Sequence, residues 1–143
     1  MTINQLSIFV ENKAGTVAEI TKSIADAGVS IRALSVADTQ EFGILRLIVN
    51  DEKAAEAVLA ENGYIIKTID VVGVKIGDAP GKLTEALAVL DKADINVEYM
   101  YAFMARTEKH AYVVLRVEDN AVAEALLVAA GFKMISEADI NKL

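Results

Sequence analysis

One short stretch of sequence occurs twice in this chain, and the repetition limits what the chain can fold into. The first copy is Asn12-Lys13-Ala14-Gly15-Thr16-Val17, and the second is Asp78-Ala79-Pro80-Gly81-Lys82-Leu83. Each copy follows an alternating apolar run and precedes an amphipathic one. Gly15 and Gly81 lie 81 − 15 = 66 positions apart. A repeat of that length exceeds the usual solenoid periods, so each copy is expected to form a small fold of its own.

The duplication continues to the C-terminal end of each half. Asp51 and Gly63 correspond to Asp119 and Gly131 at a shift of 68, so two extra residues fall near Arg106 to Lys109. The 143 residues therefore divide into two predicted domains, residues 1–70 and 71–143. Each is near the size at which a solitary core is marginal, and no Ser/Gly-rich linker joins them, so we expect a shared buried interface.

Each half has the periodicity of the element order βαββαβ. Helical spacing of apolar residues predicts helices after Gly15, from Asp51 to Asn62, over Lys82–Ala93 and over Ala121–Ala130. Alternation predicts strands over Gln5–Glu11, Ser30–Ala37, Ile44–Val49, Tyr64–Ile69, Val72–Ile76, Asn96–Ala105, His110–Val117 and Phe132–Ile135. This order predicts an α+β protein of two tandem ferredoxin-like units, each an antiparallel sheet with both helices on one face. The predicted second strand of the second half has large side chains on both faces, so we expect its edge to pair with the other repeat or a second chain.

Charge and composition exclude several classes of partner. The net charge is −7 and no run of Lys or Arg occurs, so we expect neither nucleic acid nor an anionic membrane surface as a partner. The chain has no cysteine, which excludes disulfides, thiol chemistry and Cys-based metal sites. No charged n-region precedes an apolar segment and no apolar run reaches membrane-spanning length, so a cytoplasmic location is expected.

The sequence contains no recognisable arrangement of catalytic residues. His110 is the only histidine, and no triad or zinc spacing surrounds it. The carboxylates lie mostly on helical faces and form no matched acid/base pair. A small hydrolase on the same fold would need an Arg/Asn pair for a phosphate, and Arg32 and Arg46 lie on different predicted strands. We therefore expect a protein that is not an enzyme, with no catalytic residue, metal or cofactor.

The two repeated turns remain as candidate binding sites. A strand that turns tightly into a helix leaves the first backbone N–H groups free, and with the helix dipole they suit a carboxylate. Asn12 or Asp78, with Ser30 or Asn96 at the next strand, adds short polar groups that can bind an ammonium group. Together these suit a free α-amino acid. The alternative is that the turns only start helices, and that Ser30 and Asn96 serve only turn chemistry.

These turns resemble those of the ACT domain family. The shared features are a strand ending in Asn/Asp-x-(Pro/Ala)-Gly, an apolar helix, and then Gly-Val-Ser-Ile or Asp-Ile-Asn-Val opening the next strand. The resemblance covers nearly the whole chain as two tandem copies. It implies regulatory binding of a small ligand, usually an amino acid, at an interface between units. It also implies that the two units pack side by side into an eight-stranded sheet.

The resemblance implies one site in each copy. The first copy's residues would be Asn12, Ala14, Gly15, Thr16, Ser30 and Ile31, and the second copy's would be Asp78, Pro80, Gly81, Lys82, Leu83, Asn96 and Val97. Ala14 stands where proline is usual, and Lys82 stands where the first copy has Thr16. The two sites are therefore expected to bind unequally.

The leading hypothesis is a sensor of a free amino acid that acts through a homodimer or a regulated partner protein. The rival is a ligand-free interaction module on the same fold. Valine at Gly15 or Gly81 is expected to crowd the turn and to separate the two sites.

Overall fold

The computed structural model describes residues 2–38, 41–103 and 110–142. The elements run in the order β1 (Ile3–Glu11), α1 (Thr16–Asp26), β2 (Ile31–Asp38), β3 (Phe42–Val49), α2 (Glu52–Glu61), β4 (Ile65–Gly77), α3 (Lys82–Lys92), β5 (Tyr99–Phe103), β6 (His110–Arg116), α4 (Asn120–Ala129), β7 (Lys133–Ile135) and α5 (Glu137–Lys142). The predicted insertion near Arg106 to Lys109 lies outside the described residues. No described helix has the length and apolar character needed to cross a bilayer.

The first compact unit is Asn4–Ile69. Its strands lie in the order β2-β3-β1-β4, with β3 antiparallel to both β1 and β2. Ile8 pairs with Leu45, and alternation places both side chains on the face that α1 and α2 cover. Ile20 and Ile24 of α1 and Leu59 of α2 are fully buried in the same cluster. The apolar side chains that recur at helical spacing on α1 and α2 and at alternate positions on the strands thus pack together in one core.

The second compact unit begins at Asp70 and also includes Ile3. Its strands lie in the order β5-β6-β4-β7, with β4 antiparallel to β6 and β7. The core is again on the helix-covered face; its members include Val72 and Val74 of β4, Leu90 of α3 and Leu127 of α4. The α+β class, the βαββαβ units, the antiparallel sheet and the helices on one face are therefore confirmed.

The number of strands differs from the prediction of eight. Residues 2–38, 41–103 and 110–142 form seven strands, because the predicted fourth strand of the first repeat and the predicted first strand of the second are one continuous strand, β4. The sequence between Ile69 and Val72 contains no glycine or proline that would end a strand. The side-by-side packing of the two repeats stays a prediction.

Two element predictions near the C-terminal half need correction. The predicted strand Asn96–Ala105 begins only at Tyr99, and Ala105 lies outside the described residues. The polar tail, for which no structure was predicted, contains helix α5. Its start is capped reciprocally: the Asp139 amide donates to the Ser136 hydroxyl at 3.2 Å, and the Ser136 amide donates to the Asp139 carboxylate at 3.0 Å.

Strand β5 lies at the edge of the strand order in its unit, as the prediction of an edge strand requires. Phe103 of this strand is buried and stacks on Tyr112 of β6, with ring centroids 5.3 Å apart. Met100 is exposed. Pairing of this edge with another repeat or chain stays a prediction.

Candidate functional site

The two repeated turns have nearly the same backbone geometry. Gly15 immediately precedes α1 with φ 89° and ψ −15°, and Gly81 immediately precedes α3 with φ 90° and ψ −9°. This left-handed conformation is disfavoured for a residue with a Cβ, so glycine at this point of each repeat has a conformational reason. Neither helix start has a side-chain cap that accepts a backbone N–H.

The turns use only part of the hydrogen-bonding capacity of the helix starts. The Glu19 amide donates to the Gly15 carbonyl at 2.9 Å, and the Glu85 amide donates to the Gly81 carbonyl at 3.0 Å. Among the described residues, the amides of Val17 and Ala18 have no backbone acceptor outside the helix. The same holds for Leu83 and Thr84 in the second repeat. These donors, at the positive end of a helix dipole, can receive an anionic group.

The space beside Gly15 and Gly81 is open. A Cβ built on Gly15 or on Gly81 meets no atom within 4 Å. The expectation that a larger residue crowds the turn is therefore wrong, because the space beside each glycine is open. The cost of a substitution arises instead from the left-handed backbone.

The other predicted turn residues differ in exposure. Ala14, Asn12, Asp78 and Pro80 are exposed, and the Asn12 amide donates to the Glu41 carbonyl at 3.1 Å. Lys82 and Leu83 are half-buried, and Leu83 packs against the core of its unit. Thr16, in contrast, is buried, with 6% of its surface exposed.

Two of the predicted residues that follow the first helix of each repeat, Ile31 and Asn96, line hollows to which the repeated turns do not contribute. The Ser30 amide donates to Asn50 Oδ1 at 2.8 Å, and Ile31 lines a hollow of about 480 Å³ to which no residue of the 12–16 turn contributes. Asn96 lines a separate hollow of about 830 Å³, without Gly81 or its neighbours, and Val97 packs on the core.

A different group of residues surrounds Thr16 inside the first unit. They line a hollow of about 360 Å³, which we call the Glu19 hollow. Its lining comes from the end of β1, the following turn, the start of α1, Phe42 and the segment that leads into β4. Of these residues only Thr16 was predicted as a site residue; Lys13, Glu19 and Tyr64 were missed. The sequence offered one signal for this region: Glu19 and Glu85 correspond between the repeats, whereas Thr16 corresponds to Lys82.

The polar groups of the Glu19 hollow interact with one another. Burial raises the pKa of the Tyr64 phenol, and the nearby charge and hydrogen bonding of Glu19 raise it further. The pKa of Lys13 is also raised, chiefly by its hydrogen bond and ion pair with Glu11, at 3.1 Å. The Thr16 hydroxyl is buried and has no hydrogen-bond partner among the described residues.

The described residues provide no arrangement for metal binding. No group of three or more His, Cys, Asp or Glu side chains within residues 2–38, 41–103 and 110–142 could hold a metal ion. His110 is exposed at the start of β6, where it pairs with Gly77 of β4. This position is that of a surface residue at a strand end.

Comparisons with known proteins agree with this architecture. The family model described as "ACT domain pair" matches residues 1–143, and its description names no catalytic family. A crystal structure of a protein from Bacteroides thetaiotaomicron has 34% sequence identity and a TM-score of 0.92, and the match covers 100% of this chain and 98% of that one. A comparison with curated proteins finds no significant match.

Two solved structures of lower identity share the fold. The regulatory subunit of aspartate kinase from Thermus thermophilus, in a ligand-free form, has 17% identity and a TM-score of 0.60, and the match covers 90% of this chain and 92% of that one. Aspartokinase III from E. coli, in complex with lysine and aspartate, has 16% identity and a TM-score of 0.51. There the match covers 90% of this chain and 31% of the kinase chain.

Proposed function

This chain belongs to the ACT domain pair family, and from that premise we propose that it is a cytoplasmic regulatory protein that binds a free amino acid. Its two domains would be residues 1–70 and 71–143. Binding would be transmitted through a change in assembly, either of a homodimer or with a regulated protein. A ligand that prefers one assembly must stabilise that assembly, and the reverse holds by linkage.

The observation that carries this proposal is the pair of helix starts after Gly15 and Gly81. Each has two first-turn amides without a backbone acceptor outside the helix among the described residues. Charge-assisted hydrogen bonds from such amides to a carboxylate are shorter and stronger than neutral ones. Asn12 and Asp78 each precede the glycine by three residues and can bind an ammonium group. Aspartokinase III from E. coli, which shares the fold, is in complex with two amino acids.

The other residues of the proposed sites would come from a neighbouring unit. Ser30 and Ile31 would close the site on a turn other than their own, as would Asn96 and Val97; in support, Ile31 and Asn96 line hollows to which the repeated turns do not contribute. This requirement ties ligand binding to assembly. It is the physical reason for proposing regulation rather than storage or transport.

Thermal denaturation in the presence of each of the twenty amino acids tests the proposal. A ligand at a concentration 100 times its Kd stabilises a protein by about 2.7 kcal/mol, which raises the Tm by several degrees. We expect at least one amino acid to do so at millimolar concentration, and sedimentation measurements to show a change of assembly with it. Flat melts for all twenty, with co-purification of a specific protein, would favour the ligand-free interaction module. The exposed Leu34 and Val36 on edge strand β2 would then be the first surface to test.

A further inference from the structure

Three large apolar side chains form an exposed patch on the first unit. Phe9, Phe42 and Ile65 are 48%, 58% and 69% exposed, and all three line the Glu19 hollow. Phe9 lies between two core residues of β1, so alternation places it on the face of the sheet that the helices do not cover. Phe42 pairs with Glu11, two positions from Phe9, and is therefore a diagonal neighbour of Phe9 on that face. We call these three residues the apolar patch.

The second unit has basic side chains at the equivalent positions. The residues that correspond to Phe9, Phe42 and Ile65, at repeat shifts of 66, 68 and 68, are Lys75, His110 and Lys133. The strand registers agree with this equivalence, because Gly77 pairs with His110 as Glu11 pairs with Phe42. Lys75 pairs directly with Lys133 across β4 and β7, and His110 and Lys133 are exposed. We call these three residues the basic patch.

The core positions beside the two patches do not change in kind between the repeats. Val10 corresponds to Ile76, and Leu45 corresponds to Val113. All four are buried apolar residues on the helix-covered faces of their sheets. The exchange of apolar for basic side chains thus affects three neighbouring positions on the other face, where it changes a surface and leaves the core as it was.

The two patches are complementary in charge and chemistry. Lysines directly opposite each other in a ladder repel, so a surface that brings aromatic rings and negative charge to them is favourable. The apolar patch offers two phenyl rings, and Glu11 and Glu19 outnumber Lys13 in the hollow that it lines. The chain has a net charge of −7, so two copies repel each other over most approaches. A basic patch that meets a surface with a negative surplus reverses that repulsion locally.

We propose that the apolar patch of one copy docks against the basic patch of a second copy. The lysine ammonium groups of the basic patch lie over the faces of Phe9 and Phe42, and their aliphatic stems cover Ile65. Each copy has one patch of each kind, so two copies related by a two-fold axis make the contact twice and close as a dimer.

This docking needs no amino-acid ligand, so the inference goes beyond the proposed function. It assigns specific surfaces to the homodimer through which that function would be transmitted. It also gives the difference between the two repeats a physical role, because two identical repeats would present two identical patches.

Analytical ultracentrifugation of the whole protein without added amino acid tests the docking. We expect a monomer–dimer equilibrium between about 1 and 300 μM, a range that covers moderate and weak affinities. Phe9→Lys and Ile65→Lys each place the basic counterpart in the apolar patch and should weaken dimerisation at least tenfold, because like charges then face each other. Leu34→Lys makes the same kind of change at a residue of similar exposure on edge strand β2, and should leave dimerisation within threefold of the wild type.

A charge exchange tests which surface faces the apolar patch. Lys133→Glu and His110→Glu alter the basic patch, and each should also weaken dimerisation at least tenfold. Combining Ile65→Lys with Lys133→Glu places opposite charges on the two surfaces and should restore dimerisation to within tenfold of the wild type. Independent effects would instead multiply to a loss of a hundredfold or more. Circular dichroism checks that each variant is folded.

The outcomes distinguish this inference from the proposed function. A protein that stays monomeric over the whole range would overturn the docking, as would a dimer that Leu34→Lys weakens and the patch variants do not. A dimer weakened by Ile65→Lys but by neither change in the basic patch would overturn it too, because another surface would then face the apolar patch. Thermal stabilisation of a monomeric protein by an amino acid would leave amino-acid binding standing without the docking, and a dimer of the expected mutational pattern with flat melts would do the reverse.

Discussion

Replacing Gly73 with alanine tests whether the start of β1 packs into the second unit. Gly73 is buried in β4, where it pairs with Val114 of β6 and Ile135 of β7. A Cβ at this residue would lie 2.5 Å from Ile3 Cδ1 and 3.4 Å from Ile135 Cβ. Glycine at this position therefore makes room for an isoleucine that is about 70 residues away in sequence.

The expected magnitude follows from these distances. Carbon atoms pack at roughly 3.5–4.0 Å, so the Ile3 methyl group must move by about 1 Å or more. Ile3 is fully buried and cannot rotate into solvent at no cost. Overpacking of this kind costs about 1–3 kcal/mol. We expect Gly73→Ala to lower the free energy of unfolding by that amount.

Urea denaturation of a double-mutant cycle measures whether Ile3 causes the loss. Ile3→Val removes the clashing Cδ1 atom and by itself costs about 0.5–1.5 kcal/mol. Combined with Gly73→Ala, it should recover at least about 1 kcal/mol relative to the sum of the single changes. Ile140→Val, a similar change in the same unit, is the control and should be additive. Additivity within about 0.5 kcal/mol for the Ile3 pair would refute the packing described here.

Three further predictions concern helix ends. Asp51→Ala removes the carboxylate that accepts a hydrogen bond from the Ala54 backbone amide at 3.1 Å. We expect urea denaturation to show a free energy of unfolding lower by about 0.5–2 kcal/mol. An unchanged urea midpoint would contradict a capping role for Asp51. Hydrogen bonds from the amide and hydroxyl of Ser136 lower the pKa of the Asp139 carboxyl, so its stabilisation of the fold is present above the unfolded pKa and lost as pH falls through the folded one. Ser136→Ala should raise this pKa in an NMR titration. Gly81→Ala should cost roughly 1–2 kcal/mol in a thermal melt, through backbone conformation alone.

Much of the fold could be predicted from the sequence because local and tertiary preferences agree. Asp51 and Asp119 cap equivalent helices, and each accepts a hydrogen bond from the amide three residues later. The antiparallel pairing of β1 with β3 agrees with the predicted antiparallel sheet and with the alternation of apolar residues on both strands. The continuity of β4 could not be predicted, because strands that meet without a break have the same alternating pattern whether they bend apart or continue. Helix α5 was missed because its six residues are too few for helical periodicity to show.

The candidate site was only partly predictable, for a reason that concerns distance along the chain. The turn at Gly15 is formed by residues that are neighbours in the sequence, so its conformation could be predicted from their types. The Glu19 hollow is not local: Tyr64 meets the start of α1 only because β4 lies beside β1 in the sheet. No spacing rule connects positions 16, 19 and 64. The duplication held part of the information instead, since Glu19 and Glu85 correspond while Thr16 is replaced by Lys82 in the second repeat.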